Sequence, residues 1–163
     1  MNTPDGQYFL ARVKLHLSSV FERFGLRDVD SIDNLNYAQA IVKNRAVALR
    51  VTFDKREDRV FVRISRLADS EVPPIAIEAP KTIGDVREFE LGMVLWAEGW
   101  ERSRANKFGE LDPSEADPID KAVRDTAHAL EGHASDIIRG DLEAWNRVAG
   151  RVVHRVMPRS NQS

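Results

Sequence analysis

The sequence predicts an α+β fold: an N-terminal helix, an antiparallel meander of three to four strands, and C-terminal helices packed on one face of the sheet. Two observations lead there. Apolar residues recur every three or four positions near the start, every two in the middle, and every three or four again from Phe89 onward. The alternating part is interrupted by short turns, one of them charged and one containing Asn. With 163 residues, 42% hydrophobic and 31% charged, the chain has the core-forming material of one ordinary domain and is too apolar for a disordered one. A single domain over residues 1–163 is expected, with the tail 158–163 disordered.

The first helix is expected from about Pro4 to Phe24. Phe9, Val13, Leu17, Val20 and Phe24 share one face, Arg12, Glu22 and Arg23 lie off it, and Gly25 supplies the left-handed stop. Arg27 to Asn36, rich in Asp and Asn, reads as a loop. Tyr37 to Lys43 forms a strand that turns at Asn44-Arg45, where Asn tolerates positive φ. Val47, Leu49, Val51 and Phe53 alternate with Ala48, Arg50 and Thr52, as in a strand with one buried face. Val60, Val62 and Ile64 repeat the pattern after the turn Asp54 to Asp58. Beyond Pro73-Pro74, Ile75 to Ile77 is short enough for an edge strand.

Phe89, Met93, Trp96 and Trp100 then fall on one stripe of a helix starting near Ile83. A polar stretch, Glu101 to Ala116, leads to a helix with Asp117 as N-cap, Pro118 at its first position and Asp120 in its first turn. Its apolar set runs from Ile119 through Val123, Ala127 and Leu130 to Ile138, and Gly140 ends it. Asp141 caps the last helix, whose apolar face is Leu142, Trp145, Ala149, Val152, Val153 and Val156.

Composition excludes several classes. A net charge of −2 does not suit a general nucleic-acid binder. No apolar run approaches a membrane span, and the start MNTPDGQ lacks the features of a signal peptide, so a cytoplasmic location is expected. Without cysteine there is neither a thiol nucleophile nor a thiolate metal site. Asp125, His128, His133 and Asp136 gather on one side of a single expected helix, but the two histidines are five apart, about 140° round the wheel, whereas a helical metal pair is spaced i, i+4. No serine stands in a nucleophile elbow, no Gly-rich phosphate loop occurs, and the acidic pairs Glu57-Asp58 and Glu88/Glu90 have no partner that would raise a pKa. No catalytic residue, metal or cofactor is assigned.

Charge layout is more informative. Between Asp85 and Asp125, acidic residues outnumber basic ones eleven to six. Asp117 and Asp120 are explained by the helix N-terminus, but Glu110, Asp112 and Glu115 are not. With Phe108 as an apolar anchor they form a loop suited to a basic protein partner. Trp100, beside Gly99 at an expected helix end, is the tryptophan most available to that partner; Trp96 and Trp145 read as core. Arg147, Arg151 and Arg155 make a basic stripe too sparse for nucleic acid.

Two segments resemble small bacterial immunity proteins of polymorphic toxin systems. One is Val47 to Leu67, where a strand ends in Phe-Asp-Lys-Arg-Glu and returns as Val-Phe-Val-Arg-Ile. The other is Ile137-Ile138-Arg139-Gly140-Asp141-Leu142-Glu143-Ala144-Trp145, a helix-stop-helix similar to the ends of such proteins. Together they touch about a fifth of the chain. The resemblance implies a non-catalytic protein that neutralises a cognate toxin domain by stoichiometric binding, with an acidic patch set against a basic surface. It carries no site residue by residue. The alternatives are a small enzyme or ligand-binding domain using His128 or His133, and a chaperone or adaptor that holds a secreted effector by an exposed sheet edge. The oligomeric state is left open.

Overall fold

The computed structural model describes residues 4–67 and 80–156. Helix α1 spans Pro4–Arg23 and is followed by four strands, β1 (Arg27–Asp33), β2 (Tyr37–Lys43), β3 (Val47–Asp54) and β4 (Arg59–Arg66). After a 3-10 turn at Ile83–Asp85 come β5 (Glu88–Glu90), α2 (Leu91–Ala97), α3 (Arg102–Asn106), α4 (Pro118–His133), α5 (Ser135–Ile138) and α6 (Leu142–Val156). The strands form one antiparallel sheet in the order β1-β2-β3-β4-β5, a meander. The α+β class holds, with one strand more than the upper expectation. Ile75 to Ile77 and the tail 158–163 lie outside the described residues.

The core forms where the apolar stripe of α1 meets one face of the sheet. Phe9, Val13, Leu17 and Val20 are buried with Val42, Leu49, Val51, Val62 and Ile64. Helices α2, α4, α5 and α6 complete it with Leu95, Val123, Leu130, Ile138, Trp145 and Ala149. Phe9 meets Phe53 with ring centres 5.7 Å apart, and Phe89 meets Trp145 at 4.3 Å. Strand β3 is buried on both faces, not one. It is central, and its outer-face residues Ala48, Arg50 and Thr52 sit between Lys43, Ile41 and Gln39 on β2 and Ser65, Arg63 and Phe61 on β4. Arg50 Nη1 donates to Ser65 Oγ at 3.2 Å there.

Four of the expected element boundaries need correction. Arg27 to Asp33 is a strand, not loop: a six-pair ladder with β2 outweighs its polar composition, because at the sheet edge its first five residues stay exposed to water. The helix expected from Ile83 starts at Leu91, since Phe89 is taken into β5 opposite Ile64. The polar stretch after Glu101 contains the short helix α3. The helix expected to reach Gly140 breaks at Ala134, whose φ of −109° follows Gly132-His133, so Asp136 belongs to α5 and does not share a helix with Asp125.

Asn44 also works otherwise than by positive φ, which among described non-glycine residues occurs only at Asp58. Its Oδ1 accepts from the N–H groups of Ala46 (2.8 Å) and Val47 (2.9 Å), making the β2–β3 turn. Its Nδ2 donates to the carbonyls of Phe24 (3.1 Å) and Ile138 (2.9 Å), fastening the ends of α1 and α5 to that turn. Leu142, expected on the apolar face of the last helix, is 52% exposed, while Trp145, Val148 and Ala149 are buried.

Candidate functional site

The outer edge of β4 is covered by two segments. Strand β5 pairs with Arg63 to Ser65, and the loop after α3 takes the stretch nearer the β3–β4 turn. Val60 N–H donates to Gly109 O at 2.8 Å, Leu111 N–H donates to Asp58 O at 2.9 Å, and Arg59 and Glu110 form an isolated bridge. Gly109 is needed for this approach: its φ is +87°, and a Cβ there would lie 1.7 Å from Val60 O. Arg59 Nε adds a bond to Phe108 O at 3.3 Å, and its Nη2 one to Glu90 at 3.3 Å.

This seam joins the mixed-charge β3–β4 turn to an acidic loop fifty residues on. Glu57 and Asp58 on the β3–β4 turn lie beside Glu110 and Asp112, and all four are exposed. Both segments are held by their own side chains. Asp54 Oδ1 accepts from the N–H groups of Arg56 (2.9 Å) and Glu57 (3.2 Å). Asp112 Oδ1 accepts from Ser114 Oγ (2.7 Å) and Ser114 N–H (2.9 Å), which holds its carboxyl below the usual range, with Lys121 adding to the effect. Glu115 is half-buried at the far end. The Lys121 ammonium is pushed up chiefly by its 2.6 Å bond to Asp125, and also by Glu115 and Asp112.

An aromatic cluster props the base of the loop. Phe108 lies edge-on to Trp100 at 6.0 Å, Trp100 edge-on to His133 at 5.8 Å, and the Arg104 guanidinium sits 3.8 Å from the Trp100 ring centre. Phe108, Trp100 and His133 are all half-buried, so the two aromatic residues expected to meet a partner also fix the loop, and His133 serves the packing. His128 is exposed on α4, away from His133. Among the described residues no group of three His, Asp or Glu side chains is placed to hold a metal ion.

Sequence reasoning passed over a second polar assembly, between α1 and α4. Tyr8 donates its hydroxyl to Asp117, which raises the tyrosine pKa. Asp117 also caps α4 by accepting from Asp120 N–H at 3.1 Å. Asp120 itself meets His16 Nε2 at 2.6 Å, Arg124 Nε at 2.9 Å and Arg12 Nη1 at 3.4 Å. Those contacts, His16 first, lower its pKa. Asp117 and Asp120 are therefore engaged within the fold. The signal that would have found this seam is the four-residue spacing of Tyr8, Arg12 and His16, a polar stripe beside the apolar one.

No family model matches the chain, and neither a curated protein nor a solved structure matches it. Its chemistry is therefore read from its own geometry. In the expected basic stripe, Arg147 and Arg151 are both exposed, and the Arg151 guanidinium lies 5.2 Å from the Trp96 ring centre; the Arg155 side chain lies outside those described. No helix among the described residues is long and apolar enough to cross a membrane. What the acidic corner offers is charge, fixed in place by backbone hydrogen bonds and close to the sheet.

Proposed function

We propose that this chain is a non-catalytic protein-binding domain of the immunity type, covering a basic surface of a cognate toxin domain with its acidic corner. The observation that carries the reading is the backbone seam between Asp58–Val60 and Gly109–Leu111, which fixes the acidic loop of Glu110 and Asp112 beside Glu57 and Asp58 of the β3–β4 turn. Preordered charge favours such a role. Steered association depends on a fixed field, and a surface that is already ordered loses little entropy on docking. The resemblance in Val47 to Leu67 and Ile137 to Trp145 points the same way. Glu110, Asp112 and Glu115 supply the charge together with Glu57 and Asp58, while Phe108 and Trp100 hold the loop and present their remaining exposed edges.

The test is capture of the tagged protein from its own cells, with the bound partner identified by mass. A single stoichiometric partner whose isolated domain kills cells, and is tolerated when this chain is co-expressed, is the expected result. Glu110, Asp112 and Glu115 all changed to Ala should then slow association by roughly tenfold and flatten its salt dependence. The melting temperature should stay within about 2 °C, because these are surface changes. An unaltered association rate would remove this corner from the interface.

A further inference from the structure

Helix α3 lies against α2 at Gly92, where a Cβ would stand 2.8 Å from Ala105 O, and Ala105 is buried in that contact. Helix α6 packs on α2 as well. Residues of all three helices meet at Trp96, which is half-buried near the end of α2. The Arg102 guanidinium of α3 lies 5.5 Å from the Trp96 ring centre, and the Arg151 guanidinium of α6 lies 5.2 Å from it. Two residues beyond Arg102, Arg104 covers the Trp100 ring at 3.8 Å. All three arginines are exposed.

None of the three forms an ion pair among the described residues. Carboxylates are near in sequence and are not used. Glu101, next to Arg102, accepts from Ser103 Oγ at 3.0 Å. Glu98 stands four residues before Arg102 but at the end of α2, so no continuous helix brings the two together. Around Arg151 the positions three and four residues away on α6 are Arg147, Val148, His154 and Arg155, none of them acidic. A guanidinium beside an indole is ordered without spending its N–H donors. Two such cations, brought to one ring from two helices, repel each other until an anion lies between them.

The surroundings select the anion. Nucleic acid fits badly: the rings that would stack on bases already carry guanidiniums, and exposed Glu98 and Glu101 with a net charge of −2 oppose a long polyanion. A discrete carboxylate fits well, since it takes two parallel N–H donors of one guanidinium. The acidic corner of a second copy is a poorer match, because it brings Arg56 and Lys107 with it. We infer that Arg102 and Arg151, with Arg104 beside them, form a docking surface for an acidic segment of a partner protein. Two carboxylates of that segment are each held by one guanidinium, and the chain between them covers what Trp96 leaves exposed. Exposed Lys107 and Arg147 extend the positive field along α3 and α6. Ordering of the arginines by the indole lowers the entropy lost on docking. The surface is opposite in sign to the acidic corner and does not rest on the immunity reading.

The probe is a short synthetic peptide of glutamate, alanine and serine, titrated at low salt into the isotope-labelled full chain. Its lysine-for-glutamate counterpart and a single-stranded oligothymidylate are the comparisons. The glutamate peptide should shift the Trp96 indole N–H and the Nε–H resonances of Arg102 and Arg151, and should bind more weakly as salt rises; the other two should do neither. Arg102→Gln with Arg151→Gln should weaken binding by about tenfold. Arg102→Lys with Arg151→Lys keeps the charge, loses the planar fork and should recover only part of it; it also serves if the glutamine variant does not fold. The Glu110, Asp112 and Glu115 to Ala variant should bind the peptide as before. Absence of binding, equal binding of the lysine peptide or the oligonucleotide, indifference to both arginine variants, or self-association of the free chain through Trp96 would each overturn the inference.

Discussion

The two edges of the sheet are built by opposite rules. At the β4 edge the Gly109 loop lies along Asp58 to Val60 and the three-residue β5 along Arg63 to Ser65. At the β1 edge a seven-residue strand stands with five exposed residues, and no strand among the described residues pairs along its outer side. Short edge strands and covering loops protect a sheet from unwanted pairing, whereas a long bare edge is a template. Carboxylates at Asp28 and Asp30 and the bulge at Val29 limit that liability. Helix α1 shows the same asymmetry. Its α4 flank is clamped by Tyr8, Arg12 and His16, and its β1 flank looks onto a cleft.

The sharpest way to break the contrast is at Gly109. Gly109→Ala places a Cβ against Val60 O in a backbone conformation L-residues avoid, so the loop must lift from β4. A loss of roughly 3 kcal/mol is expected, read as a lower urea midpoint, with the two seam hydrogen bonds lost together. Asp33→Ala should follow. It removes the carboxylate paired with Lys55, whose side chain is only 12% exposed, and frees the pinned end of β1, at about 2 kcal/mol with faster amide exchange along the strand.

Smaller effects mark the clamp and the open edge. The folded pKa of Asp120 lies below its unfolded value, so the stability it contributes is fully present above about pH 4 and is lost as pH falls through the folded pKa. Asp120→Asn should therefore flatten the acid limb of the stability curve below about pH 4, and cost about 1 kcal/mol near neutrality in urea melts. Ser31→Pro is expected to change stability least, within about 0.5 kcal/mol, because its N–H makes no ladder bond.

Much of the fold was legible because its signals are periodic. The α1 stripe, the alternation in β3 and β4, and the Asp117-Pro118 start of α4 all appear where the spacing puts them. Strand β1 was not legible, since its partner rather than its composition makes it a strand, and the bulge at Val29 breaks the alternation that might have shown it. Phe89 misled for a related reason: four residues before Met93 it fits a helical stripe, but pairing opposite Ile64 claims it for β5. At the acidic corner, Glu110, Asp112 and Glu115 could be picked out as unexplained charge. That Glu57 and Asp58 join them could not, because the joint is backbone and its only mark in the sequence is one glycine.

The most direct measurement is native-state hydrogen exchange at two amides of the same sample, Val60 and Ser31. Val60 donates to Gly109 O inside the seam and is expected to exchange only on global or near-global unfolding. Ser31, whose N–H meets the Asp30 carboxylate and no backbone carbonyl among the described residues, is expected to exchange many times faster, as an exposed edge does. Comparable protection of Ser31 and Val60 would mean that the β1 edge is already covered in the free protein. The contrast between a sealed and an open edge would then be wrong.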